Sequence, residues 1–262
     1  MIVRRPPEGE SSSPRPTTLR AIQISDCHVS ADDNTLYRGQ NADGNFKRLL
    51  HQARQWSPDL ILLSGDVSED GSEESYQRTS GLLAETGVPV LALPGNHDDV
   101  EVMSRYFPLG PWHEPFVLEM ENWQLVLLDS TEPGRISGCL GTSTLKQLQT
   151  SLQNSERDHS LVALHHQPVP VGAAWIDRYM LEQPSEFLQV ISRSPRVRCI
   201  SWGHIHHDFQ AQSNDVTLLG APSSVANSIP GTRRFTLDPA GPACRWLELM
   251  ASGKVETGLL IR

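Results

Sequence analysis

The chain has 262 residues and a formal charge of −9, a length that fits one α/β domain with a sizeable core. The acidic balance argues against a nucleic-acid partner, because such affinity rests on Lys and Arg neutralising phosphates. It does not argue against a small phosphate ligand held by metal ions. No apolar run approaches the roughly 20 residues of a membrane span, so no membrane partner is expected.

The N-terminal stretch MIVRRPPEGESSSPRPTT is rich in Pro, Ser and Arg and reads as a flexible tail over 1–18, with the folded domain over 19–262. Arg4-Arg5 is followed by prolines and by no apolar segment, so it does not read as an export signal. LRAIQIS (Leu19 to Ser25) then reads as a strand, about 41–56 as a helix, DLILLS (Asp59 to Ser64) as a strand, about 73–86 as a helix stopped by Gly87, VPVLAL (Val88 to Leu93) as a strand and about 99–107 as a short helix. This βαβαβ order implies a parallel sheet with helices packed on it. The near-continuous apolar strands fit burial on both faces.

WQLVLLDS, a helix near 142–154, SLVALHH, a helix near 184–193 and VRCISWGH come next. From Asp208 the strand-like runs DFQAQ, VTLLGAP, RRFTLD, CRWLELM and KVETGLL are separated by turns, which predicts an antiparallel sheet packed on the first. The four cysteines, Cys27, Cys139, Cys199 and Cys244, are far apart. They read as reduced thiols of a cytoplasmic protein.

Polar clusters follow five of these strands: Asp26-x-His28, Gly65-Asp66, Gly95-Asn96-His97-Asp98, His165-His166 and Gly203-His204-x-His206. In open α/β sheets the C-terminal strand ends border the ligand crevice. One Asp or His there is usually a cap or a turn, but five clusters on one edge are hard to assign to turns alone. Asp, Asn and His are metal ligands of intermediate hardness. Asp-x-His and His-x-His would place both side chains on one side of an extended segment. A shared carboxylate could bridge two ions roughly 3.5–4 Å apart, so the residues themselves point to a dinuclear hydrolase.

The motif order D-x-H, G-D, G-N-H-D, H, G-H-x-H resembles that of the calcineurin-like metallophosphoesterases. LHHQPVPVGAAWID, GHIHHD and RRFTLDPAGPACRWLEL are further similar to the bacterial class III 3′,5′-cyclic-AMP phosphodiesterases. The resemblance implies a four-layer α/β/β/α sandwich. It assigns one metal to Asp26, His28, Asp66 and His206 and a second to Asp66, Asn96, His165 and His204, with Asp66 bridging. His28, Asp66, Asn96, His97 and His206 would face the substrate, and His97 would be no ligand. Cys27 stands where relatives more often carry Thr or Ser.

The expected chemistry follows. Two cations, iron, manganese or zinc by their ligands, polarise the phosphoryl oxygens and acidify a water, and the resulting hydroxide attacks phosphorus. His97 as imidazolium protonates the leaving O3′ of cyclic AMP, giving 5′-AMP. The rival readings are a metallophosphoesterase for another cyclic nucleotide, diester or monoester, and a non-catalytic scaffold, which would need neither the full ligand set nor His97. Trp175 and Arg233 are candidates for stacking or phosphate contact. His166 reads as support for a neighbouring ligand, His207 as exposed, and Asp98 as orienting His97 or capping a helix. His51, His113 and His159 are given no role. The sequence sets no oligomeric state, a dimer included.

Overall fold

The computed structural model describes residues 3–4, 18–108, 110 and 114–261. The expected tail therefore lies outside the described residues apart from β1 (Val3–Arg4) and residue 18. The strands β2 (Leu19–Ile24), β5 (Leu60–Ser64) and β6 (Val90–Leu93) form the expected parallel core. They are joined by α1 (Ala42–Gln55) and α2 (Glu73–Ala84). Asn41 caps α1 by accepting from Gly44 N, and Ser72 caps α2 by accepting from Ser75 N, filling orphan donors of each first turn. A two-strand hairpin, β3 (Leu36–Tyr37) and β4 (Gln40–Asn41), precedes α1. The expected helix over 99–107 is the four-residue α3 (Val100–Met103), capped by Asp99.

The second half departs from expectation in its sheet membership. β7 (Phe116–Met120), β8 (Trp123–Leu127), β9 (His159–Ala163), β10 (Val197–Trp202), β11 (Phe209–Ser213) and β12 (Val216–Gly220) join β1 in a seven-stranded mixed sheet, order β1-β7-β8-β9-β10-β12-β11. Only β13 (Ala243–Leu249) and β14 (Val255–Ile261) return to the first sheet, whose order is β14-β13-β2-β5-β6. The strands after Asp208 are thus divided between both sheets rather than forming one of their own. RRFTLD is not a strand: its backbone is linked to neighbouring chain by the single bridge Ser228↔Leu237. Its Phe235 packs instead against Trp175 and His206.

Three apolar layers result, and with them the four-layer sandwich. Leu19, Leu60, Leu62, Leu91, Leu125, Leu161 and Leu219 fill the space between the sheets. Ile22, Ile61 and Leu63 point the other way, onto Phe46, Leu49 and Leu83 of α1 and α2. Val126, Val162 and Ile200 do the same beneath α4 (Thr142–Asn154) and α6 (Pro184–Ser192). The alternation of Leu60 and Leu62 with Ile61 and Leu63 is the period of two expected of a strand buried on both faces. Near the C-terminal strand ends the two sheets are tied by a buried polar link. Gln23 Nε2 donates to Ser64 Oγ (2.9 Å) and to the Trp202 carbonyl (3.0 Å), and Ser201 Oγ donates to Gln23 Oε1 (2.6 Å).

Candidate metal centre

The five polar clusters meet where the two sheets end. Asp26-x-His28, Asp66 and the Asn96 cluster extend β2, β5 and β6, whereas His165-His166 and His204-x-His206 extend β9 and β10 of the facing sheet. The edge is therefore shared by two sheets, not one. At five of these residues the backbone is not extended either. Asp26 (φ 51°), His28 (46°), Asp66 (50°), His204 (67°) and His206 (51°) are all left-handed, half of the ten non-glycine residues with positive φ among those described. Such conformations cost roughly 1–3 kcal/mol each and persist where the surroundings fix them. Hydrogen bonds supply that constraint: Asp26 N to Gly65 O (3.0 Å), Cys27 N to Asp66 O (2.7 Å) and His28 N to Asp66 O (3.0 Å). Alternate side chains still share a side, but through alternate left-handed residues rather than a strand pleat. Cys27, between them, is fully buried in the outer apolar layer, where burial pushes its thiol pKa up.

The buried carboxylate of Asp66 faces two groups at once. Its Oδ2 lies 3.8 Å from His28 Nε2 and its Oδ1 lies 3.5 Å from His165 Nε2. On the first side, His206 Nε2 is 3.2 Å from both His28 Nε2 and Asp26 Oδ1. On the second, His165, His166 and His204 bring ring nitrogens within 4.8 Å of one another. Gly95 makes the approach possible, though not through a special φ: a Cβ there would overlap Asp66 Oδ1 and come within 2.8 Å of the His165 ring.

The donor set fits cations. Asn96 Oδ1, His165 Nε2 and His204 Nε2 are buried without a hydrogen-bond partner, an arrangement costing roughly 1–3 kcal/mol per group unless something else pairs with them. In three of the histidines the outer ring nitrogen is engaged: His165 Nδ1 with the Ser64 carbonyl (2.8 Å), His206 Nδ1 with the Ala226 carbonyl (2.8 Å) and His28 Nδ1 with Glu69 Oε2 (2.6 Å). Such outer bonds fix the tautomer of metal-binding histidines. Burial pushes the Asp66 and Asp26 carboxyls up. Nearby histidines, His165 for the first and His206 for the second, outweigh it and hold both below the usual range. Burial lowers His28 and His204. At His165 burial is outweighed by the Asp66 charge, which raises it to about 9, so a cation there would displace the His165 proton. Ionised carboxylates and neutral imidazoles are the forms that bind a cation.

His97 differs from these. Its side chain is 37 % exposed, and its Nδ1 lies 3.2 Å from Glu69 Oε2. Its backbone N donates to Asp66 Oδ1 (2.9 Å). Burial works to lower its pKa, but the Glu69 hydrogen bond and the Asp66 charge outweigh it and raise the imidazole to about 9. Glu69 stands outside the five sequence clusters, although it follows Asp66 by only three residues in GDVSE. Tyr37, stacked on His28 at 3.9 Å, stands outside them too, with no such cue in the sequence.

His207 is buried, not exposed, with Nδ1 2.7 Å from the Ile205 carbonyl. Asp98 neither orients His97 nor caps α3. It accepts from Gly95 N (2.9 Å), Ser68 N (2.9 Å), Val67 N (3.2 Å) and Tyr76 Oη (3.1 Å), clamping the loops after β5 and β6. His166 contacts Ser130 Oγ (2.8 Å) and the Ile136 carbonyl (3.0 Å) through its two nitrogens, which leaves it a supporting position. Trp175, in the short α5 (Ala174–Asp177), lies edge-on to His206, whereas Arg233 is exposed.

Comparison with known proteins agrees with this geometry. The family model described as calcineurin-like phosphoesterase matches residues 19–208. A 3′,5′-cyclic adenosine monophosphate phosphodiesterase of Pseudomonas aeruginosa is 37 % identical over 91 % of this chain and 88 % of its own length. A 3′,5′-cyclic-nucleotide phosphodiesterase of a Nostoc species is 33 % identical over 90 % and 89 %. The solved structure of a dimetal phosphatase from Danio rerio superposes with a TM-score of 0.66 over 93 % of this chain and 98 % of that one. Its identity is 14 %, so that likeness concerns the fold alone.

Proposed function

Because this chain belongs to the calcineurin-like phosphoesterase family, we propose that it hydrolyses 3′,5′-cyclic AMP to 5′-AMP at a dinuclear metal centre. The observation that carries the reading is the Asp66 carboxylate, one oxygen toward His28 and the other toward His165, with unpartnered Asn96 Oδ1, His165 Nε2 and His204 Nε2 around it. Asp26, His28, Asp66 and His206 would hold one ion, and Asp66, Asn96, His165 and His204 the other. Bound there, two cations supply Lewis-acid polarisation of the phosphoryl group and lower the pKa of a water from about 15.7 toward 7.

The remaining chemistry belongs to the chain. Glu69 holds His97 by Nδ1, which leaves Nε2 to face the substrate with its proton. Against burial, the Glu69 hydrogen bond raises the His97 pKa, which favours the imidazolium that can donate to the leaving O3′. The cyclic-AMP preference rests on the two cyclic-nucleotide phosphodiesterases, each similar over most of the chain. No helix of the described residues is long and apolar enough to cross a membrane, and four free cysteines fit a cytoplasmic setting.

The test is turnover of cyclic AMP, cyclic GMP and p-nitrophenyl phosphate by chelator-stripped protein, before and after adding manganese, iron or zinc. Metal-dependent cyclic-AMP hydrolysis is expected. Turnover of the monoester alone would assign the site another substrate, and none on any would leave a scaffold.

A further inference from the structure

The lip of the site beside His28 carries a residue that its turn does not favour. Arg38 and Gly39 form the two-residue loop of the β3–β4 hairpin, with φ of 47° and 78°. Positive φ at both positions is the pattern of a type I′ turn, where Asn, Asp or Gly is preferred first. An arginine there breaks a local rule, and such breaks concentrate at functional sites.

The arginine is also placed. Its Cζ lies 3.9 Å over the Phe235 ring, and its Nε donates to Tyr37 Oη (3.2 Å). Tyr37 stacks on His28, and Phe235 stands beside His206 and Trp175. A run of rings therefore leads from two of the expected ligands to the guanidinium. No carboxylate pairs with Arg38 among the described residues, and Nη1 and Nη2 make no hydrogen bond within them. The opposite side of the centre is a different environment. A groove of about 340 Å³ opens beside Asn96, lined by Asp98, Asp99, Glu101 and Glu132 and by no aromatic ring.

We infer that Arg38, stacked on Phe235, is a substrate-binding residue that holds the nucleobase of the substrate at the His28 side of the centre. The inference rests on the nucleotide reading above and adds the direction in which the base leaves the phosphate. A planar guanidinium backed by an aromatic ring offers a flat, cationic face to a purine. Stacking of this kind tolerates any base, so Arg38 contributes affinity for a nucleobase more than choice among bases.

The experiment compares inhibition by 5′-AMP with inhibition by inorganic phosphate, both read on bis(p-nitrophenyl) phosphate hydrolysis. Arg38→Asn suits the turn, so the hairpin should form, and Arg38→Lys keeps the charge without the plane. In both variants the 5′-AMP inhibition constant should rise about five- to tenfold, whereas that of phosphate should move less than twofold. Phe235→Leu should act in the same direction. Recovery of 5′-AMP inhibition in Arg38→Lys would overturn stacking in favour of charge. Parallel loss for phosphate would place Arg38 on the phosphate, and no change in either would remove it from the site. Turnover of cyclic AMP by the unaltered protein is measured alongside. Its absence would sink the proposed substrate, while the ratio of 5′-AMP to phosphate inhibition would still judge Arg38.

Discussion

His97 and the histidines around it have been given opposite tasks by their neighbours. His165 and His204 are buried with an unpartnered nitrogen, whereas His97 is partly open and tied to Glu69. Cyclic AMP expels a ribose alkoxide that needs a proton, and bis(p-nitrophenyl) phosphate expels a stabilised phenolate that hardly does. His97→Ala should therefore slow cyclic-AMP turnover by roughly 10²- to 10⁴-fold, slow the activated diester far less and leave metal content near wild type. Equal loss on both substrates would point to charge stabilisation, and loss of metal would make His97 a ligand. The pH dependence has a definite sign. Because the pKa is raised above 6.5, to about 9, the proton is present at neutral pH and lost as pH rises through that value. Cations beside Asp66 counter the raise, so cyclic-AMP turnover should fall on an alkaline limb at or below about 9, and His97→Ala should lack that limb. Cys27 makes the complementary case. Its thiol is buried on the far side of the loop, so Cys27→Ser should keep both metals. Metal loss on that change would contradict the loop geometry.

At the scale of elements, the site depends on how adjacent loops are tied. Asp98 accepts from three backbone N–H groups on the loops after β5 and β6. Asp98→Ala strands those donors and should lower stability by about 1–3 kcal/mol and weaken metal binding on the Asn96 side. Unchanged denaturant midpoint and metal content would show that the clamp is dispensable. The sequence made the clusters legible because each follows a near-continuous apolar strand. It did not disclose which sheet each strand joins. Leu161 and Val162 on β9 both face apolar layers, one between the sheets and one beneath the helices, and nothing in their types distinguishes the two. β3 and β4 are two residues each, too short for any periodicity, so the hairpin carrying Tyr37 and Arg38 was invisible. Asp26 and His28 were placed on the right side of the chain for a reason that the left-handed backbone replaces.

At the scale of the whole molecule, two sheets are needed to build one centre. β2, β5 and β6 bring Asp26, His28, Asp66 and Asn96, and β9 and β10 bring His165, His204 and His206 from the facing sheet. The inner leucine layer and the Gln23 link hold those two groups in register. Asp66 is the residue that each group approaches. Metal content by elemental analysis, measured on wild type, Asn96→Ala and Asp66→Asn prepared alike, tests this most directly. The account predicts about two ions per chain in wild type, selective loss from one site in Asn96→Ala and weakened retention of both in Asp66→Asn. Full metal content in Asp66→Asn would contradict the bridge, and with it the dinuclear centre as assigned.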